Sequence, residues 1–150
     1  MIKEPLVSII INNYNYGNYL GDAIESALKQ TYKNIEVIVV DDGSTDNSRQ
    51  IIEQYKDKIV PVFKENGGQA SAFNAGFEVC KGEIICLLDS DDIFLPHKVE
   101  VVVQEFSKNP DYGWLIHDMN HINNAGEEVE VLERKETSYF LKQSGDYRNQ

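Results

Sequence analysis

The sequence predicts an α/β fold, a mostly parallel sheet with helices on both faces. Two observations carry this. Short apolar runs rich in β-branched residues alternate with amphipathic segments as far as residue 117, and that order makes a parallel sheet joined by crossover helices. The strands also read as near-continuous apolar runs rather than as an alternation of apolar and polar residues, as strands buried on both sides should. With 150 residues and 41% hydrophobic content, the chain is long enough to bury a real core.

Leu6 to Ile11 follows Pro5 and reads as the first strand. Asn12 to Asn18 is a polar turn, and Leu20, Ala23, Ile24, Ala27 and Leu28 then share one helical face. Ile35 to Val40 is the second strand and ends at Asp41-Asp42-Gly43-Ser44. Thr45-Asp46 can cap a second helix reaching about Tyr55. Ile59 to Phe63 is the third strand, Asn66-Gly67-Gly68 a turn, and Ala70 to Val79 a helix with Phe73 and Phe77 inward. Glu83 to Leu88 is the fourth strand. Pro96 opens a helix whose Val99, Val102, Val103 and Phe106 face one way. Gly113 to His117 is expected as a fifth strand, and Asn123 to Gly126 as a hairpin turn.

Charge narrows the function. The formal net charge is −11, and nucleic-acid binding needs Lys and Arg against phosphate, so a nucleic-acid partner is excluded. Anionic lipid is equally disfavoured for these residues. Cys80 and Cys86 suggest no ligand cluster and read as reduced core residues, which fits a cytoplasmic protein. The opening residues lack a signal-peptide layout, and no apolar run approaches membrane-spanning length.

The chemistry concentrates in Asp89-Ser90-Asp91-Asp92, directly after an apolar run. In open α/β sheets ligands bind beyond the carboxyl ends of the strands. Like charges packed there repel unless a cation sits among them, and Mg²⁺ or Mn²⁺ takes oxygen ligands, commonly sharing a carboxylate or two with substrate phosphates. Asp41 and Asp42 end the second strand in the same way. An isolated Asp-Gly would be only a turn and cap, but two acidic strand ends in one chain favour a shared ligand. Asn12, Asn13 and Tyr14 end the first strand, where Tyr14 could stack on a base and the amides bond its edge. Gly67-Gly68-Gln69 precedes the third helix and allows close backbone approach to a ligand or phosphate, although spacing alone favours a plain turn. Neither a G-x-G-x-x-G nor a G-x-x-x-x-G-K-[ST] motif occurs. His97, His117 and His121 lack metal-ligand spacing. Asp118, after the expected fifth strand, is a secondary candidate.

Taken together, Pro5 to Asn15, Ser26 to Tyr32 with Ile35 to Asp46, Asn66 to Gly76, Gly82 to Asp92, and Gly113 to Asp118 with Asn124 to Gly126 resemble the nucleotide-binding half of a family 2 glycosyltransferase of the GT-A fold. The second of these blocks is the most specific. The resemblance implies transfer of a sugar from a nucleotide-diphosphate sugar, a UDP-sugar first, to a hydroxyl on a saccharide, lipid-linked or other acceptor, with Mn²⁺ or Mg²⁺ and inversion at the anomeric carbon. Asn12 and Tyr14 would hold the base. Asp42, with Asp41, would accept a hydrogen bond from the base edge, and Gln69 would lie near the donor. Asp89 and Ser90 would approach the ribose or metal-bound water, and Asp91 with Asp92 the metal. Residues 1–118 would form the nucleotide-sugar-binding core and 119–150 the truncated start of an acceptor-side region. No residue in 119–150 stands out as the catalytic base, so these residues alone are expected to bind donor without efficient transfer. The implied location is the cytoplasm, with peripheral association at the inner face of the membrane through missing regions. Two rivals are a non-catalytic sugar-nucleotide-binding module and a receiver-type signalling domain. The latter would place its acidic pair after the first strand, where Asn12-Asn13 stand.

Overall fold

A computed structural model describes residues 4–123 and residue 128. Four strands and four helices alternate: β1 (Val7–Asn13), α1 (Gly17–Leu28), β2 (Ile35–Asp41), α2 (Ser48–Gln54), β3 (Val60–Phe63), α3 (Gln69–Val79), β4 (Ile84–Asp89) and α4 (Lys98–Lys108). The described residues fall into two units that divide between Gln104 and Glu105. All four strands belong to the first.

The sheet runs in the order β3-β2-β1-β4, every pair parallel. β1 is central, and Val7, Ile9, Ile10 and Ile11 are wholly buried. Parallel crossovers are right-handed. The steps from β1 to β2 and from β2 to β3 run one way along the sheet, so α1 and α2 share a face. The step from β3 back to β4 reverses direction and puts α3 on the other face. There Ile10, Ile38, Val40 and Ala72 form a buried cluster, with Phe73 and Ile85 packed against it. Gly76 lets α3 come down onto β1, since a Cβ there would lie 2.5 Å from Ile10 Cγ2. Gly76→Ala should therefore destabilise the protein by about 1 kcal/mol net, overpacking of ~1–3 kcal/mol outweighing the helix propensity gained. A urea midpoint equal to or above that of the parent protein would refute this close approach.

The observed elements differ from the expected ones in informative places. β1 runs two residues past its apolar core, because Asn12 and Asn13 still pair through the backbone with Val40 and Asp41. Phe77 was expected inward but is 51% exposed. It lies at the far end of a helix whose buried residues are Ala72 and Gly76. Gly113 to His117 is not a strand. Trp114 and Ile116 are about two-thirds exposed, at 67% and 66%, and the segment carries no ladder among the described residues. A three-residue apolar run is too short for its period to say whether it pairs. Ile122 and Glu128 form one antiparallel bridge. Of the expected hairpin turn, Asn123 is described and residues 124–126 lie outside the described residues. No helix among the described residues is long and apolar enough to cross a membrane.

Candidate functional site

The reversal of strand order puts a crevice beyond the carboxyl ends of β1 and β4, the switch point where open α/β sheets take ligands. A cleft of about 490 Å³ lies there. Of the residues singled out in the sequence, Asn12, Tyr14, Asp42, Gln69, Asp89, Ser90 and Asp91 line it. Asn12 sits between Val40 and Asp89 in the ladder, so β1 itself brings the acids of β4 beside the amides of β1. Tyr14 is 47% exposed where it lines the cleft.

Asp41 and Asp92 are not among the lining residues. Asp41 is buried beneath the cleft, where it accepts a hydrogen bond from Asn13 Nδ2 at 2.9 Å and from the Ser44 amide at 3.2 Å. Because Asp41 can only accept, this contact fixes the Asn13 amide with Nδ2 towards it, and Nδ2 also donates to Ser44 Oγ at 3.1 Å. Asn15, in the left-handed region at φ 59°, continues the knot. Its Oδ1 accepts from the Thr45 amide at 2.7 Å. Asp46 closes it by accepting from the amides of Gly17 and Ser48, both at 2.9 Å. One carboxylate thereby accepts the first amide of each of two helices. Asp92 is exposed, and its amide donates to the Asp89 carbonyl at 3.1 Å, turning the chain after β4.

Asp42 is 2% exposed and holds a loop. Its carboxylate accepts from the Gly67 amide at 3.0 and 3.1 Å and from the Gly68 amide at 2.7 Å, and pairs with Lys64. Gly68, at φ 84°, takes the backbone conformation that presents these amides together. The Gly67 and Gly68 amides are thus turned onto Asp42, as the plain turn that spacing favoured rather than an open phosphate contact. Burial alone would raise the Asp42 carboxyl, but the Lys64 ammonium and the two amides outweigh it and hold it below the usual carboxylate range. Lys64 escaped the sequence reading, although a lysine directly after the third strand, on the acidic edge, was the signal available. Asn13, Tyr16 and Asn66 also line the cleft.

Two oxygens in this region are buried without a hydrogen-bond partner among the described residues: Asn12 Oδ1 and Asn13 Oδ1. Buried polar atoms are normally paired, so these are places for a donor from outside the chain. Gln69 Nε2 donates to Asp89 Oδ1 at 3.0 Å across the cleft mouth. No group of three or more His, Cys, Asp or Glu among the described residues forms a ready metal cage. Mg²⁺ and Mn²⁺ do not need one. They typically bind through one or two carboxylates together with substrate phosphates and water, so the donor set of Asp89 and Asp91 fits such an ion.

Asp118 is exposed, and it lies in the second unit. Without a strand at Gly113 to His117, the premise that put it on the sheet edge is gone.

A parallel sheet in the order 3-2-1-4, with carboxylates and amides gathered at its switch point, is a doubly wound α/β fold, and the solved structures that share it here are GT-A glycosyltransferases. The chain belongs to glycosyl transferase family 2, whose model matches residues 8–144. It is 50% identical over 115 residues to an uncharacterized glycosyltransferase of Nostoc sp., a match covering 74% of this chain and 36% of that one. The chain thus spans about a third of the length of this relative and of the uncharacterized glycosyltransferases of Rickettsia prowazekii and Rickettsia typhi that it also matches. Staphylococcus aureus TarS 1–349 in complex with UDP-GlcNAc superposes with a TM-score of 0.64 at 29% identity, covering 70% of this chain and 32% of that one. The fold is shared as well by the mannosyltransferase PcManGT of Pyrobaculum calidifontis in complex with GDP-Man and Mn²⁺, with a TM-score of 0.63 at 23% identity over 75% of this chain and 35% of that one.

Proposed function

We propose that this protein transfers a sugar from a UDP-sugar to a hydroxyl acceptor, with Mn²⁺ or Mg²⁺ and with inversion, and that the cleft between β1 and β4 is its donor site. One observation carries this above the others: acceptor oxygens at the end of β1 and carboxylates at the end of β4 meet in one cleft of a family 2 chain. Tyr14 stacks on the base. Asn12 Oδ1, buried and unpartnered, accepts the base N–H, and Asp42, which lines the same cleft, lends its negative charge to that edge. Asp89 and Ser90 would contact the ribose or a metal-bound water. Asp91, with Asp92 beside it, holds the metal. The metal supplies electrostatic stabilisation of the charge that develops on the leaving diphosphate. Gln69 orients Asp89 through the hydrogen bond between them. Asp41 acts from below by fixing Asn13. A carboxylate outside these residues takes the proton from the acceptor hydroxyl as it attacks in line. Residues 1–118 form the donor-binding core, and 119–150 begin the acceptor side. The acceptor is a saccharide, a lipid-linked or another hydroxyl compound, met in the cytoplasm or at the inner face of the membrane.

The two neighbours with bound donors hold different bases, UDP-GlcNAc in TarS and GDP-Man in PcManGT. The fold therefore leaves the base to side chains. Around this cleft the buried unpartnered atoms are acceptors. Uracil offers an N3–H where cytosine offers only a bare nitrogen. UDP is expected to bind more tightly than CDP by about tenfold or more, the worth of one buried hydrogen bond together with the penalty for leaving its acceptor unpaired. Calorimetry with both nucleotides in Mn²⁺ tests this, and equal affinities would overturn the base assignment. The same titration over a panel of nucleotide sugars, with transfer by the full-length protein to mixed hydroxyl acceptors as the readout, separates an enzyme from a binding module.

A further inference from the structure

The carboxylates at the end of β4 stand on a short arch. Ser90 and Phe94 are buried, at 4% and 8% exposed, and Asp91, Asp92 and Ile93 between them face solvent. The first post, Ser90, follows directly on β4, whose Asp89 is locked in the ladder opposite Asn12. The second post is held from the far side of the domain by the carboxyl end of α1. Ser26 Oγ donates to the Ala23 carbonyl at 2.8 Å and accepts the Phe94 amide at 3.1 Å. Gln30 is wholly buried. Its Nε2 donates to the carbonyls of Ser26 and Leu95, both at 3.0 Å, and its Oε1 accepts the Val99 amide at 3.0 Å. The Thr31 amide donates to the Pro96 carbonyl at 2.9 Å. One side chain thus ties α1 to the loop and to the first turn of α4, where it pairs the Val99 amide.

We propose that Ser26 and Gln30 are positioning residues for metal binding: they fix the second post of the arch and so hold Asp91 and Asp92 where a nucleotide-bound cation needs them. The proposal rests on the donor-site function set out above. A carboxylate on a three-residue arch with only one fixed end samples many positions, and each must be given up when the ion binds. With both ends tied, that ordering is done during folding. Neither Ser26 nor Gln30 lines the cleft, so their loss acts on the metal through the arch alone.

The test measures Mn²⁺ affinity in the presence of saturating UDP, from the paramagnetic resonance of free Mn²⁺. Ser26→Ala, Ser26→Thr and Gln30→Ala are compared with the parent protein, and each is also titrated with UDP in EDTA. Gln30→Ala and Ser26→Ala should weaken Mn²⁺ binding by about 10-fold to 100-fold, the usual cost of losing a partner that orients metal ligands. Ser26→Thr, which keeps the hydroxyl, should restore it, and UDP affinity in EDTA should stay that of the parent. Mn²⁺ affinity within about twofold of the parent in Ser26→Ala overturns the proposal, as does a parallel loss of UDP affinity in EDTA, which would mark a general loosening of the domain. Should Gln30→Ala fail to fold, the Ser26 pair alone decides. No Mn²⁺ binding by the parent protein with UDP would instead overturn the metal assignment, and the positioning role with it.

Discussion

Asp91→Ala is expected to abolish the enhancement of UDP-sugar binding by Mn²⁺ and, in the full-length protein, to lower transfer by about 10² or more, the scale on which a lost electrostatic contact to a developing anion acts. The residue lines the cleft and its carboxylate stands in solvent. Little of the fold depends on it, so the melting temperature should stay within the range of ordinary surface substitutions, about 0.5 kcal/mol in either direction. Asp92→Ala should do less, because Asp92 does not line the cleft. Calorimetry with and without EDTA, beside a thermal melt, separates these effects. The metal role fails if the unmutated protein binds UDP equally well in EDTA. A large fall in melting temperature of Asp91→Ala would assign the residue to the fold instead.

Asp42→Asn is expected to be the more damaging change to stability. The carboxylate is buried and accepts from two loop amides and Lys64. An amide offers one acceptor oxygen where the acid offered two, and its NH₂ would face donors. Leaving buried donors and an ammonium without their acceptor costs about 2–4 kcal/mol, and the Asn66-Gly67-Gly68 loop should lose protection from hydrogen exchange. This also dictates how base selection is tested: comparing UDP with CDP on the unmutated protein avoids a variant whose loop has come undone. Urea denaturation reads the prediction, and a loss under about 0.5 kcal/mol would mean that the loop stands without Asp42.

The same carboxylate sets part of the acid limb of stability. Asp42 and Asp46 are both held below their ordinary range. In each, burial opposes the shift, and hydrogen bonds outweigh it: from Lys64, Gly67 and Gly68 to Asp42, and from Ser48 and Gly17 to Asp46. With the folded-state pKa depressed, the unfolded chain binds protons first. The stabilisation is therefore fully present above the unfolded value near ~3.9 and is lost as pH falls through the folded values. Urea midpoints should hold steady from about pH 7 to about pH 5 and fall below about pH 4, with a shallower fall in Asp42→Asn.

The elements of the sheet were legible in the sequence because each is local. Ile9-Ile10-Ile11 and Val37 to Val40 are runs that only a doubly covered strand accommodates, and α1 shows its buried face at helical spacing. The acids were legible too, since their place directly after such runs puts them at strand ends whatever the topology. Where periodicity ran out, at Gly113 to His117, the reading failed, and Phe77 shows that an apolar residue at an inward spacing can still face water. Other features were decided by tertiary structure alone. Strand order placed Asn12 beside Asp89, which are 77 positions apart in sequence. The partners of Asp42 lie 22 to 26 residues away, and Gln30 reaches across 65 and 69 residues to Leu95 and Val99. No local pattern encodes such pairs. A buried carboxylate or amide must find its partners wherever the packed sheet and helices bring them.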